Sequence, residues 1–326
     1  MTNYNAADLD VLKGLEPVQV RPGMYTDTTR PNHLAQEVID NSIDEAQAGY
    51  ATRVTVVLHE DGSLSVNDDG RGMPVDIHPE EGISGVELIL TKLHAGGKFS
   101  DKNYQYSGGL HGVGISVVNA LSKRVEVEVR RNGQIYQITF ENGLKTEDLT
   151  VTGKTLKRDT GTAVRFWPDG QYFDSVNFSL PRLMTNLRAK AVLSKNLHVI
   201  LIDEKNEKEY QWQFEDGLSS YFNDAIGTDD RLPNPPFLLT HTDDAAGEIE
   251  CVFAWLEDAG NTAVYESYAN LIPTTGGGTH VNGLRLGIVE ALREFCDFRN
   301  LLPRGVKLTP DDAFESCQFV LSIKIP

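Results

Sequence analysis

This sequence has little of several features that would point to particular classes of protein. It holds three cysteines in 326 residues, and Cys251, Cys296 and Cys317 stand far apart. So few thiols, odd in number, favour neither a disulfide framework nor a metal site, and they predict buried thiols in a reducing cytoplasm. No stretch approaches 18 consecutive apolar residues, and residues 1–10 lack a basic start and an apolar run. We therefore expect neither a membrane-spanning helix nor a signal peptide.

Positive charge is also scarce. The 30 lysines and arginines are outnumbered by 47 aspartates and glutamates, which gives a formal net charge of −17. A stand-alone duplex-binding protein neutralises phosphates with an excess of basic residues, so this balance argues against that class. Apart from this, the composition is that of an ordinary globular protein, 40% apolar and 24% charged, and the length suffices for two domains.

The most informative stretch is glycine-rich and runs from Ala95 to Leu121, with glycines at 96, 97, 108, 109, 112 and 114. Glycine lets a ligand approach the backbone closely, and a helix N-terminus favours phosphate, so the stretch predicts a loop over a polyphosphate. It is not a Rossmann fingerprint, because residues 96–107 are polar and irregular where a strand is required. A P-loop is excluded because Asp148 stands five residues before Gly153, where that motif has glycine.

Hydrophobic periodicity predicts both helices and strands along the chain. A first helix is predicted at about 33–48, with Asn32 as N-cap and Gly49 after its end. Residues 227–236, rich in proline, are predicted to form a linker or long loop. The polar stripe of the first helix consists of His33, Glu37, Asn41 and either Asp44 or Glu45. Strands are predicted at 53–59, 64–67, 124–131, 134–141, 162–167, 198–202, 210–214, 249–256, 264–271 and 319–325, and further helices at 86–93, after Gly114, at 180–194 and at 283–298.

Two carboxylates and one amide in this pattern indicate nucleotide chemistry. Glu37 can orient a water molecule and accept its proton. Asn41, one helical turn later, is a suitable oxygen ligand for Mg²⁺ beside phosphate oxygens. Asp68 ends a strand before a glycine turn, where a carboxylate can accept a hydrogen bond from the exocyclic amine of adenine. The plain alternatives are a solvated helix face for Glu37 and Asn41 and an Asx-turn for Asp68.

Four stretches closely resemble, in order and spacing, the motif blocks of the GHKL ATPase fold. That fold is shared by gyrase B, chaperones of the Hsp90 type, histidine kinases and mismatch-repair proteins. The four stretches are Glu37–Ala46, Asp68–Met73, Gly108–Gly114 and Thr160–Thr162. Three more are similar specifically to the B subunits of bacterial type IIA topoisomerases, namely Arg21–Tyr25, His94–Phe99 and Gly276–Gly283.

The resemblance extends from about Tyr4 to Pro326 and implies the fold. It implies an α/β (α+β) architecture that begins with a two-layer Bergerat-type sandwich, with helices on one face of a mixed, mostly antiparallel sheet. Residues 1–216 would form this ATPase domain with an N-terminal dimerisation arm. Residues 217–326 would form a ribosomal S5-like transducer domain, incomplete at its C-terminal end.

The resemblance also implies a role for individual residues. Glu37 would be the general base, with His33 as its supporting group, and Asn41 would be the Mg²⁺ ligand. Asp68 would bind adenine with the help of Thr162. The remaining ATP-binding residues would belong to five parts of the site. These parts are an arm that enters the partner subunit's site, an ion pair at the pocket rim, the pocket wall, the lid with its phosphate cradle, and an arginine at the pocket mouth. The residues are Tyr4, Glu45, Arg71, Gly72, Met73, Pro74, Lys98, Tyr104, Gly109, Leu110, His111, Gly112, Val113, Gly114 and Arg131.

The implied function is that of an ATP-driven gate. ATP and Mg²⁺ would be the cofactors, and ATP binding would dimerise two B subunits around a duplex DNA segment. An A subunit would supply DNA cleavage in a heterotetramer, inhibitors would enter the nucleotide pocket, and no membrane is involved. DNA contacts are expected from Arg182, Arg188 and Lys190. The short form of residues 25–34, together with Met73, favours topoisomerase IV over gyrase.

Three alternatives remain at this stage. The B subunit of DNA gyrase remains an alternative, because only those two local features favour topoisomerase IV. A histidine kinase would need an upstream helix with a phosphorylatable histidine, which residues 1–30 do not supply. A nucleotide-gated clamp of the chaperone or mismatch-repair type would lack His94–Phe99 and Gly276–Gly283, which are present.

A further expectation concerns hydrolysis. In the family a Gln-Thr-Lys loop of the transducer domain brings a lysine to the γ-phosphate, where charge develops during phosphoryl transfer. No Gln-Thr-Lys occurs in this sequence, and the loop would be expected a few residues after Leu321–Ile325. The resemblance therefore predicts a fragment that binds pocket ligands well but hydrolyses ATP and dimerises weakly.

Overall fold

A computed structural model describes residues 12–93, 95, 114–227, 231–243, 247–256, 264–303 and 305–325. The chain divides into two compact units, one of residues 1–188 and 197–212 and the other of residues 189–196 and 213–326. Each unit is built on its own sheet, with eight strands in the first and five in the second among the described residues. The predicted mixed α/β fold class is therefore confirmed.

The sheet of the first unit is mixed and mostly antiparallel, as predicted. Its helices are α1 (Glu16–Val20), α2 (Asn32–Gln47), α3 (Gly85–Thr91), α4 (Gly114–Ala120) and α5 (Leu180–Leu193), the last of which crosses the division between the units. Its strands are β1 (Arg53–Leu58), β2 (Leu64–Asp68), β3 (Ser122–Arg131), β4 (Gln134–Glu141), β5 (Leu144–Lys154), β6 (Gly161–Pro168), β7 (His198–Asp203) and β8 (Lys208–Trp212). The strand order is β5-β4-β3-β6-β2-β1-β7-β8, and only the β1–β7 pair is parallel.

Burial alternates along the central strands, as expected when one face of a sheet is covered. Val54 and Val56 of β1 are fully buried, as are Val164 and Phe166 of β6, while the residues between them are partly exposed. Helices α2 and α4 pack against each other and against strands of this sheet. The core of the first unit therefore lies between these helices and one face of the sheet.

One hairpin turn is determined by two residues. The predicted hairpin of β3 and β4 turns at Asn132 and Gly133, whose φ values are 56° and 77°. Two consecutive positive φ values define the turn whose twist suits a two-residue hairpin, and Asn-Gly adopts them at low cost. This prediction is confirmed.

One prediction in the first unit is wrong, and one strand was not predicted. Asn32 does not cap α2, which follows Pro31 without a side-chain cap. Its amide instead bonds both backbone groups of Ser179, with Nδ2 donating at 3.0 Å and Oδ1 accepting at 2.8 Å. Strand β5 is absent from the predicted strands, because it is exposed along almost its whole length and so shows no apolar alternation.

The second unit has a smaller mixed sheet. Its strands are β9 (Arg231–Asp243), β10 (Gly247–Leu256), β11 (Tyr265–Ala269), β12 (Ile272–Pro273) and β13 (Cys317–Lys324), and its helices are α6 (Leu218–Ile226), α7 (Thr279–Arg299) and α8 (Pro310–Phe314). The strand order is β12-β11-β13-β10-β9, in which only β11 and β13 run parallel. Side chains of α7, α8, β10 and β13 share one core that includes Val289, Phe314 and Phe319.

The proline-rich segment is mostly strand and not linker. Residues 231–243 form β9 at the edge of the sheet. Pairing with β10 breaks between Leu232 and Phe237, and the prolines at 233, 235 and 236 lie in that irregular stretch. Proline has no N–H to donate, and an edge strand with an irregularity tolerates it. Helix α6 is likewise absent from the predicted helices.

Lys190 does not suit the DNA contact expected of it. Its side chain is 1% exposed, and its Nζ donates to the Leu271 carbonyl at 3.1 Å. Arg182 is exposed and pairs with Asp27 at 3.5 Å. Among the described residues, no helix combines the length and apolar character needed to span a membrane.

Candidate functional site

Helix α2 carries a chain of polar contacts on the side opposite its buried stripe. Apolar residues such as Leu34 and Ile43 anchor the helix in the core. On the other side, Nε2 of His33 lies 3.6 Å from Oε1 of Glu37, one turn along the helix. The second ring nitrogen of His33, Nδ1, lies 3.0 Å from the hydroxyl of Thr26. Thr26, His33 and Glu37 are therefore linked by successive polar contacts that end at the candidate base, Glu37.

The other oxygen of Glu37 lies against the beginning of helix α4. A Cβ atom built on Gly114 would stand only 1.8 Å from Oε2 of Glu37. Any side chain at this position would displace the carboxylate, so the close approach requires glycine. The structure thus brings together two candidate residues that are 77 positions apart in the sequence.

Asn41 follows Glu37 on the same stripe and is partly exposed. Its side chain makes no hydrogen bond within the part of the chain that the structure describes. The described residues also contain no cluster of three or more His, Cys, Asp or Glu that could hold a metal ion. A single amide oxygen fits Mg²⁺, which commonly takes few protein ligands and completes its octahedron with phosphate oxygens and water.

Asp68, the last residue of β2, is a buried acceptor. It is 6% exposed, and Ser42 donates a hydrogen bond to its Oδ2 at 2.8 Å. The backbone N–H groups of Gly70 and Thr162 donate to its Oδ1 at 3.0 and 3.3 Å. Burial raises the pKa of Asp68 above its ordinary value of 3.8, and the Glu45 carboxylate adds to that rise. The three hydrogen bonds oppose it.

The loop after Asp68 packs tightly on strands β3 and β6. Gly72 has a φ of +77°, and a Cβ on it would lie 2.8 Å from the Arg130 carbonyl oxygen. The N–H of Met73 donates to the Thr162 hydroxyl at 3.0 Å. Arg131 donates from Nη1 to the Gly72 carbonyl at 2.6 Å. These hydrogen bonds therefore link the predicted pocket residues Met73 to Thr162 and Gly72 to Arg131.

An ion pair holds the outer part of the same loop. Arg71 donates from Nε and Nη2 to the two oxygens of Glu45, at 3.0 and 2.7 Å. Its guanidinium also lies 3.8 Å from the centre of the Tyr50 ring. The Pro74 carbonyl accepts from the N–H of Val86 at 2.8 Å, which ties the loop to helix α3. The predicted pair of Glu45 and Arg71 is present, as a bidentate contact.

Several predicted site residues cannot be placed in this geometry. The arm residue Tyr4, the lid residues and most of the phosphate cradle lie outside the described residues. They are Tyr4, Lys98, Tyr104, Gly109, Leu110, His111, Gly112 and Val113.

Three contacts of the site were missed at the sequence level. Ser42 bonds Asp68, Thr26 bonds His33, and Arg130 donates from Nη2 to the Asp68 carbonyl at 3.0 Å. The contact of Ser42 could have been expected from the sequence, because a hydroxyl on the buried side of an amphipathic helix needs a hydrogen-bond partner. The sequence holds no comparable signal for Thr26 or Arg130.

One helix therefore contacts both halves of the site. Ser42 and Glu45 reach the Asp68–Arg71 loop, while Glu37 reaches the beginning of α4. The first half offers a buried carboxylate that can accept from an amine. The second offers a carboxylate that can orient a water molecule.

Comparisons with known proteins agree with this geometry. The family described as histidine kinase-, DNA gyrase B- and HSP90-like ATPase matches residues 26–171, and the DNA gyrase B family matches residues 217–326. The chain is similar to the B subunit of DNA topoisomerase 4 from Pseudomonas aeruginosa, with 62% identity over 100% of this chain and 51% of that protein. The chain thus spans about half the length of the curated relatives it matches.

Two solved structures are also similar. One is the topoisomerase IV ATP-binding domain of Francisella tularensis with a small-molecule inhibitor, at 45% identity and a TM-score of 0.78, over 97% of this chain and 83% of that one. The other is the 43K ATPase domain of Thermus thermophilus gyrase B with an aminocoumarin, at 39% identity and a TM-score of 0.81, over 97% of this chain and 82% of that one.

Proposed function

The chain belongs to the family of ATPase regions found in the B subunits of topoisomerase IV and gyrase, and from that premise we propose that it binds and hydrolyses ATP for topoisomerase IV. The observation that carries the proposal is that helix α2 joins a buried acceptor, Asp68, to a water-orienting carboxylate, Glu37. Adenine would be selected at one end of this helix face and the terminal phosphate attacked at the other.

Asp68 is the residue that selects the base. Both of its oxygens already accept hydrogen bonds from Ser42, Gly70 and Thr162, which fix the orientation of the carboxylate. A carboxylate oxygen has lone pairs for more than one donor, so an exocyclic amine of adenine can still be accepted. Met73 and Gly72 form the adjacent wall, and Arg131 lies at the pocket mouth.

Glu37 acts on the attacking water. The ionised carboxylate accepts the water proton while the oxygen attacks the γ-phosphorus. His33 holds Oε1 of Glu37 from one side, and the backbone at Gly114 limits Oε2 from the other. Contacts such as the 3.6 Å pair of His33 and Glu37 often shorten when substrate binds.

Asn41 would hold Mg²⁺ together with phosphate oxygens and water. The metal ion, when bound, neutralises charge on the phosphates. The amide oxygen of Asn41 lies one helical turn from Glu37, so the same helix face would position the metal and the base.

The domain division, partners and wider activity complete the proposal. Residues 1–216 form the ATPase domain with an N-terminal arm, and residues 217–326 form the transducer domain. ATP binding dimerises two B subunits around a duplex DNA segment, and the A subunit supplies cleavage in a heterotetramer that decatenates and relaxes DNA during chromosome segregation. Inhibitors of the nucleotide pocket bind beside Asp68, as the inhibitor-bound relatives suggest.

The experiment that tests the choice of topoisomerase IV is reconstitution of the full-length protein with each candidate A subunit. Decatenation of linked circles without supercoiling is the expected result. ATP-dependent negative supercoiling of relaxed plasmid would instead assign the chain to gyrase. Absence of any ATP-dependent topology change with either A subunit would favour a GHKL clamp outside the topoisomerases.

A further inference from the structure

Thr26 lies outside the four ATPase motif blocks, and its hydroxyl meets the catalytic pair at 3.0 Å from His33 Nδ1. We propose that Thr26 is a positioning residue for hydrolysis: its hydroxyl holds Nδ1 of His33 and so fixes the orientation of the ring, and His33 in turn orients Glu37. This inference rests on the proposed ATPase function and names a determinant of its rate.

The proton arrangement follows from the chemistry of the three groups. An ionised carboxylate is an acceptor only, so the His33 nitrogen that faces Glu37 must carry a hydrogen. In a neutral imidazole the other nitrogen is then an acceptor, and Thr26 must donate to it. The opposite tautomer would set the lone pair of Nε2 against the carboxylate. Glu37 therefore sets the tautomer, Thr26 supplies the matching donor at Nδ1 that holds the ring facing the base, and no proton passes through Thr26.

Thr26 is itself held rigidly. It is 8% exposed, and its backbone N–H donates to the Pro22 carbonyl at 3.0 Å. The next residue, Asp27, accepts from both the N–H and the hydroxyl of Thr29, at 2.9 and 2.7 Å. A hydroxyl on such a segment can act as a fixed reference for His33, because neither its backbone nor its burial leaves room for rearrangement.

Packing alone does not hold the His33 ring. A cavity of about 180 Å³ opens beside it, lined also by Asp27, Gln36 and Arg182. With open space along part of its surroundings, the ring depends on directional contacts at its two nitrogens. In the described part of the chain those contacts are Thr26 at Nδ1 and Glu37 at Nε2.

The test compares Thr26→Val, which keeps the shape and removes the hydroxyl, with Thr26→Ser, which keeps the hydroxyl. In the full-length protein with its A subunit, Thr26→Val should lower kcat for ATP hydrolysis roughly tenfold, the rate equivalent of one hydrogen bond of about 1.4 kcal/mol. The Kd for a non-hydrolysable ATP analogue should change less than about twofold. Thr26→Ser should retain most of the activity. Thr28→Val is the matched control, because the Thr28 hydroxyl makes no hydrogen bond within the described residues.

Each outcome separates this proposal from the proposed function. A wild-type protein without ATPase activity would contradict the function itself. With an active wild type, an unchanged kcat in Thr26→Val, or equal losses in the Val and Ser variants, would overturn the positioning role. Should Thr26→Val fail to fold, ¹⁵N NMR of His33 in the wild-type chain still decides. Hydrogen on Nε2 alone supports the proposal, and hydrogen on Nδ1, whether alone or together with Nε2, overturns it.

Discussion

Glu37 has its two carboxylate oxygens in different surroundings, with Oε1 facing His33 and Oε2 against the backbone at Gly114. This confinement leaves little freedom of orientation. A water molecule held by the carboxylate would therefore approach the γ-phosphate from a nearly fixed direction. Orientation of this kind is a principal contribution of an enzyme to phosphoryl transfer.

Replacing Glu37 with Gln should separate binding from hydrolysis. The amide keeps the size of the side chain but cannot accept the water proton, so turnover should fall by roughly 10²–10⁴-fold. The Kd for ATP should stay close to that of the wild type, because the base acts mainly in the transition state. Steady-state hydrolysis by the full-length protein and calorimetric titration measure the two quantities. Wild-type turnover would show that another residue is the base.

The hydrogen bond from Ser42 to Asp68 should change how the affinity for adenine ligands depends on pH. Burial raises the pKa of Asp68, and the Ser42 hydrogen bond lowers it. The acceptor form is the ionised one, which is populated above the pKa, so affinity for adenine ligands is lost as pH falls. In Ser42→Ala the pKa of Asp68 should rise further. The loss of affinity for adenine ligands should therefore begin at a higher pH than in the wild type.

Ser42→Ala should also lower the free energy of unfolding by about 1–3 kcal/mol, because a buried hydrogen bond to Asp68 is lost. Titrations of an adenine-site inhibitor between pH 5 and 8 provide the comparison, with Thr28→Val as a control distant from Asp68 in sequence. Identical pH profiles for Ser42→Ala and the wild type would mean that Ser42 does not influence Asp68.

Among the secondary-structure elements, helix α2 is a shared support for the site. Its buried stripe fixes the helix, Ser42 reaches the Asp68 loop, and Glu37 reaches the beginning of α4. A displacement of either neighbour would act on both halves of the site. The contact of α2 with α4 should be the more sensitive of the two, because the carboxylate of Glu37 lies directly against backbone at Gly114, which has no side chain of its own to adjust.

Gly114→Ala tests that contact. The added Cβ would stand 1.8 Å from Oε2 of Glu37, so the carboxylate or the helix must move. We expect hydrolysis to fall at least ~100-fold, comparable to loss of the base. Gly287→Ala in helix α7 is the control, since nothing lies within 4 Å of its added Cβ. That control should leave hydrolysis unchanged and stabilise α7 by up to about 1 kcal/mol, measured as a rise in Tm.

If Gly114→Ala hydrolysed ATP like the wild type, Glu37 would not need its position against α4. If Gly287→Ala lost activity as well, the effect of a glycine substitution would be non-specific, and the Gly114 result would carry no argument about the base.

For the chain taken as a whole, net charge limits how tightly it can bind DNA. The net charge is −17, and Lys190, one of three basic residues expected to contact DNA, is buried. Phosphate binding releases counterions only where lysines and arginines meet the backbone. A topoisomerase gate can enclose a duplex without holding it tightly, and an acidic chain is compatible with that use.

We therefore expect the 326-residue chain to bind naked duplex DNA very weakly in the absence of nucleotide. Its Kd at physiological salt should be weaker than ~10⁻⁴ M, beyond the usual range of non-specific binding. Fluorescence anisotropy with a labelled duplex measures this, and a salt titration identifies any phosphate contacts. Binding near ~10⁻⁶ M with a steep salt dependence would reveal a basic surface among residues such as Arg182 and Arg188.

Features that depend on short segments could be predicted from the order of residues alone. The polar stripe of α2 follows from a period of 3.6 residues, and the turn at Asn132 and Gly133 follows from backbone preferences of two residues. The ATPase family was indicated by the resemblance of four short motif blocks, each of which consists of consecutive residues. These properties are local, so they could be predicted before any packing was known.

Contacts between segments that are distant in sequence depend instead on how the chain packs. Asn32 bonds Ser179 instead of capping α2, because a backbone segment 147 residues away offers a donor and an acceptor together. Lys190 is buried although its charge predicts exposure, and the prolines near 235 lie in an edge strand although their composition predicts a linker. The hydroxyl of Thr26 reaches His33 only because the chain folds back after Pro22. Such contacts depend on which surfaces meet, and composition and periodicity do not encode that.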